Sequence, residues 1–122
     1  MGRCVLIVDD EFLVLMTARE VLESAGCEVM EAHDGPAALA ALKGNPDIDL
    51  LISDINMPSM EGYELAEIAM RLRPGIGVLL MSGEQTSRYG LSVIRKPFRR
   101  DELITALGQV GGCEETPPKG TG

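Results

Sequence analysis

Asp9 and Asp10 directly follow the apolar run Cys4-Val5-Leu6-Ile7-Val8, and Asp54 directly follows Leu50-Leu51-Ile52-Ser53. Ser82 closes a third apolar run from Gly77 to Met81, and Lys96-Pro97 follows a weaker one from Ser92 to Arg95. Carboxylates gathered at one place repel one another unless a cation lies between them. Hard oxygen donors of this kind suit Mg²⁺, which takes one or two carboxylates and keeps several waters. A lysine nearby adds a second, compact cation. Each group also has a plainer reading alone. Asp9-Asp10-Glu11 could be the negative start of a helix, favoured by the helix dipole, and Pro97 could simply terminate a strand. Those readings leave Asp54 and Lys96 without a reason.

The elements between these groups decide whether they meet. Cys4–Val8 is a continuous apolar run of strand length, as expected for a strand buried on both faces. Leu15, Ala18, Leu22 and Ala25 are spaced as one helical face over about residues 12–25, with Gly26 as the stop. Residues 27–32 predict a second strand, and Asp34-Gly35-Pro36 starts a short helix to Lys43, ended by Gly44-Asn45-Pro46. The third strand, Leu50–Ser53, runs into Asp54. Leu65, Ile68, Ala69 and Leu72 mark a helix over about residues 61–72. Residues 77–81 form the fourth strand and 92–95 the fifth. A last helix spans about residues 99–110, with Leu103, Ile104 and Leu107 facing inward. Strands alternating with helices imply a parallel sheet covered on both faces. In such sheets ligands bind beyond the carboxyl ends of the strands, where these polar groups fall.

The 122 residues suffice for one core. We expect one domain over residues 1–110 and a disordered Gly/Pro/Glu/Thr-rich tail over 111–122. A net charge of −8 argues against a nucleic-acid partner, because phosphate backbones need Lys/Arg stripes. No apolar run approaches the ~20 residues that span a bilayer, so no membrane partner and a cytoplasmic location are expected. Cys4 and Cys27 read as small core residues, and Cys113 lies in the polar tail. His33 is the only histidine, which leaves little for a His-based zinc site.

Taken together, Asp9-Asp10, the segment Asp54-Ile55-Asn56-Met57-Pro58-Ser59-Met60-Glu61-Gly62, Ser82-Gly83 and Lys96-Pro97-Phe98 make the sequence resemble the response-regulator receiver domains of two-component signalling. The resemblance covers about residues 4–110. It implies a flavodoxin-like α/β fold, with five parallel strands in order 2-1-3-4-5 and helices on both faces. It implies that Asp54 is the phosphoacceptor. Mg²⁺, with Mn²⁺ or Ca²⁺ as substitutes, would be held by Asp10, Asp54, the backbone carbonyl of Asn56, and Asp9 directly or through water. Ser82 and Lys96 would engage the phosphoryl group, with Lys96-Pro97 a cis peptide. The implied partner is a sensor histidine kinase, with a histidine phosphotransfer protein or a downstream target beside it. The chain would act as a monomeric, stand-alone switch rather than as an enzyme. Its only catalysis would be its own phosphorylation and slow loss of the phosphoryl group.

Two departures from the family pattern stand out. The usual aromatic three positions before the strand-five lysine is replaced by Val93. The span between Ser82 and Lys96 is shorter than usual by about two helical turns, so the fourth helix of the family is expected to be a stub or a loop over residues 83–91. Tyr89 could stand in for the aromatic, but the simpler reading is that it packs against the sheet edge. Asn56 and Glu84 occupy the positions that tune acyl-phosphate lifetime in the family, and polar groups there imply a short-lived phosphoryl state. Two other functions remain open at this point. A phosphatase of the haloacid-dehalogenase type also uses an Asp after a strand, but it needs a second Asp where Asn56 stands. A binding module could also have kept the fold without the phosphorylation.

Overall fold

The computed structural model describes residues 3–83 and 91–110. Five strands, β1 (Cys4–Val8), β2 (Glu28–Ala32), β3 (Leu50–Asp54), β4 (Gly77–Ser82) and β5 (Ser92–Arg95), form one sheet in the order β2-β1-β3-β4-β5. All four strand pairs are parallel. Among the described residues the helices are α1 (Phe12–Ser24), α2 (Gly35–Gly44), α3 (Gly62–Leu72) and α4 (Arg100–Gln109). The α/β architecture and strand order are those expected from the sequence.

Strand alternation divides the core in two. Val5 and Ile7 of β1, Leu50 and Ile52 of β3, Leu79 and Met81 of β4, and Ile94 of β5 pack under α1 and α4. The intervening Leu6, Val8 and Leu51 face the other way, against Leu42 of α2 and Leu65 of α3. Burying one such Leu or Ile side chain is worth roughly 1.5–3 kcal/mol. That is why the central strands read as unbroken apolar runs. The helix ends follow local chemistry. Gly26 adopts φ 92° just after α1, a left-handed conformation open to glycine. The Asp34 carboxylate accepts the Ala37 N–H at 2.8 Å to start α2. Beyond α3, the Arg73 guanidinium donates to the carbonyls of Leu42 and Ile48, tying that end to the end of α2.

Three inward-facing assignments need correction. Ala25 lies just past the end of α1 and is exposed, and Val21 takes the buried place instead. Leu72, in the last turn of α3, is also exposed. Ile104 is one step of ~100° round α4 from buried Leu103 and faces outward, while Leu107, a full turn later, is buried. Cys4 and Cys27 are half-buried against the edge of the core. The expectations for Glu84, Tyr89 and the shortened fourth helix lie outside the described residues, as do those for Cys113 and the tail over 111–122. Among the described residues, no helix is long and apolar enough to cross a membrane.

Candidate functional site

Strand register brings the polar groups to one rim. Val8 is paired with Ser53, so Asp9 follows β1 beside the end of β3 where Asp54 stands. Asp54 is paired with Met81, which puts Ser82 one residue further along β4. Ser82 is paired with Arg95, and its carbonyl accepts the Lys96 N–H at 2.7 Å, so Lys96 emerges at the same rim. Alternation then sorts the side chains. Asp54 continues the face of Leu50 and Ile52, and Lys96 that of Ile94, beneath α1 and α4. Ser82 continues the face of Val78 and Leu80, which pack with Tyr63 of α3. The Lys96–Pro97 peptide is cis.

A single ammonium serves several carboxylates here. Lys96 Nζ donates to Asp9 Oδ2 at 3.0 Å and lies 3.4 Å from Asp54 Oδ1 and 3.4 Å from Glu11 Oε1. Asp9 is fully buried, Asp54 and Ser82 nearly so, and Asp10 and Asn56 are exposed. Oxygens of Asp9, Asp10 and Asp54 all lie within 4.8 Å of one another. Burial first, and then the charge of Asp9, push the Asp54 carboxyl above its usual range, with Lys96 and the Asn56 N–H opposing. Asp9 is raised too, chiefly by burial, against the Glu11 N–H and Lys96. For Lys96 burial disfavours the charge, but its bond to Asp9 and the attraction of Asp54 outweigh that and raise it. A balanced ion pair would lower its acid. Two buried acids on one lysine leave negative charge uncompensated, and hard oxygen donors with such an excess suit a small divalent cation.

The response regulator receiver domain family matches residues 5–108. This chain belongs to that family. The receiver is 34% identical over 107 residues to the aerobic respiration control protein ArcA of Escherichia coli K12, covering 81% of this chain and 44% of ArcA. It therefore spans less than half the length of that relative. Among solved structures it is similar to the chemotaxis protein CheY4 of Vibrio cholerae, with a TM-score of 0.82 and 30% identity over 90% of this chain and 99% of CheY4. It is also similar to the response regulator TrrA of Thermotoga maritima in complex with Mg²⁺ and BeF, with a TM-score of 0.78 and 27% identity over 88% of this chain and 97% of that one.

Two features of the receiver's site were not assigned from sequence. Glu11 reads as helix-start chemistry, yet its carboxylate makes no cap bond in α1 and turns to Lys96. Gly62 closes the motif segment that begins at Asp54. In the structure it packs against β3 so closely that a Cβ would fall 2.4 Å from the Asp54 carbonyl oxygen and 2.8 Å from Ile55 Cα. Its N–H also donates to the Ile55 carbonyl at 2.8 Å. The glycine eight positions after Asp54 was the available signal. Val93 is half-buried beside Ile55, Tyr63, Ala66, Val78 and Leu80.

Proposed function

We propose that this receiver is a phosphorylation switch in which Asp54 accepts a phosphoryl group from the phosphohistidine of a sensor kinase. The observation that carries this reading is the uncompensated cluster itself: buried Asp54 beside Asp9 and Asp10, with the Lys96 ammonium 3.4 Å from its Oδ1. Asp9, Asp10, Asp54 and the backbone carbonyl of Asn56 would hold Mg²⁺, with Mn²⁺ or Ca²⁺ able to replace it. The bound cation supplies charge that lets a carboxylate approach a phosphoryl group despite their like sign. Asp54 attacks phosphorus as the donor's N–P bond breaks, and the imidazole nitrogen leaves with that electron pair. Lys96 and Ser82 then engage the phosphoryl oxygens. Bonds to a charged acceptor are worth ~1.5–3 kcal/mol each, whereas inverting a 1:99 equilibrium takes ~5.5 kcal/mol. Two such bonds total about 3–6 kcal/mol, and Lys96 gives up contacts it already makes, so the shift is incomplete.

The surface beside the site supports a protein donor. Phe12, Leu13 and Met16 on the first turns of α1 are 65%, 71% and 51% exposed. Leu13 also lines a shallow cleft of about 150 Å³ with Val14, Thr17, Lys96, Pro97 and Phe98. Apolar side chains held in water next to a reactive centre mark a docking surface. We assign it to the histidine-bearing helix of the kinase or of a phosphotransfer protein. The acidic balance of −8 fits a monomer that works in the cytoplasm through protein surfaces, without nucleic acid or membrane.

Phosphotransfer profiling against a panel of autophosphorylated histidine kinases tests this reading, with Asp54→Ala as control. One kinase should transfer label rapidly to the native protein and none to the variant. Label on Asp54→Ala, or none on the native protein from any kinase or from acetyl phosphate, would overturn it.

A further inference from the structure

We propose that Glu11 is a positioning residue for Lys96, competing for its ammonium with a phosphoryl group on Asp54; this rests on the phosphorylation reading above. Of the three carboxylates around Lys96 Nζ, Asp9 and Asp54 are buried and belong to the acidic cluster. Glu11 is different. Its side chain is 64% exposed and stands outside that cluster, yet its Oε1 lies 3.4 Å from the ammonium.

The backbone sets this geometry. The Glu11 N–H donates to Asp9 Oδ1 at 2.9 Å, and the Glu11 carbonyl accepts the Leu15 N–H at 3.2 Å at the start of α1. Asp9 thus orients the residue that competes with it for Lys96. The Glu11 carboxylate makes no bond to the free N–H groups of α1, so the ammonium is its partner.

A phosphoryl group on Asp54 brings about −1.5 to −2 charge and strong acceptor oxygens. Those oxygens then compete with Glu11 for the Lys96 ammonium, which already lies 3.4 Å from Asp54 Oδ1. The exposed pair therefore opposes the phosphorylated state weakly. Removing it should tighten binding of a phosphoryl mimic by roughly two- to five-fold, the range set by exposed ion pairs. Metal binding should respond in the other direction, because Glu11→Gln removes a negative charge close to the cluster.

The experiment measures Mg²⁺ affinity without fluoride and beryllofluoride affinity at saturating Mg²⁺, for the native protein, Glu11→Gln and Glu11→Asp. We expect Glu11→Gln to bind Mg²⁺ more weakly and beryllofluoride more tightly. Glu11→Asp keeps the charge on a shorter arm, so it should bind Mg²⁺ as the native protein does while still favouring beryllofluoride. In the metal-free protein the Lys96 Cε resonance should move in Glu11→Gln and stay put in Glu20→Gln, an exposed control elsewhere on α1. Parallel weakening of both ligands would show a merely structural role, and an unchanged beryllofluoride affinity would also sink the assignment. If the native protein bound neither ligand, the phosphorylation reading would fall first.

Discussion

A Cβ built on Gly62 would stand 2.4 Å from the backbone carbonyl oxygen of Asp54, so the start of α3 and the phosphoacceptor's own peptide pack without room for a side chain. Gly62→Ala must push α3 away or displace the end of β3, because the obstructing atoms are backbone. Overpacking of this kind costs about 1–3 kcal/mol. Urea unfolding should show that loss. Phosphoryl uptake from acetyl phosphate should fall more than the unfolded fraction explains, since Asp54 itself moves. A variant as active as the native protein would show that the two elements can part harmlessly.

Asp54 and Asp9 both titrate above the ordinary carboxylate range in the folded chain, with burial the largest cause. The folded state therefore holds these protons more tightly than the unfolded chain. Their stabilising effect is present below the ordinary carboxylate value and is lost as pH rises through the raised values. Asp54→Asn should make the metal-free protein more stable at neutral pH by on the order of 1 kcal/mol, about 4 °C in midpoint. The gain should shrink toward mildly acidic pH. Thermal melts of both proteins across that range check the sign. A destabilised Asp54→Asn at neutral pH would contradict it.

Magnesium should act on the same excess charge. A cation that binds only the folded state stabilises by ~2.7 kcal/mol at a hundred times its dissociation constant. Melting temperature should therefore climb with Mg²⁺ at neutral pH. Asp10→Asn and Asp54→Asn should each blunt the rise, and acid should abolish it as the carboxylates take up protons. Equal rises in native and Asp54→Asn protein would place the cation elsewhere.

Leu13 is 71% exposed and contributes little to the core, so Leu13→Asp should leave the fold intact. Transfer from the partner kinase should drop by tenfold or more, the size expected when a docking contact worth ~1.4 kcal/mol is lost. Uptake from acetyl phosphate, which needs no docking surface, should be unaffected. Stopped-flow or gel-shift kinetics with both donors separate the two. Equal losses would tie Leu13 to the reactive centre instead of to the partner.

Much of this molecule is legible in its sequence. Unbroken apolar runs such as Cys4–Val8 and Leu50–Ser53 report strands buried on both faces, because helices on either side demand it. The acidic pair, Asp54, Ser82 and Lys96 each fall where such a run stops, and parallel strands carry those stops to one edge. Linear spacing therefore revealed which groups would meet. It could not reveal how they share charge. That Lys96 divides itself among Asp9, Glu11 and Asp54 depends on register and on the turn after β1, which set distances to a few tenths of an ångström. The same holds for Gly62, whose need for bare backbone arises from the approach of α3 to β3. Helix faces such as that of Ile104 were likewise decided by where the neighbouring sheet lay. Residue type and order dictate which chemistry is available, while close packing between distant segments decides which atoms touch.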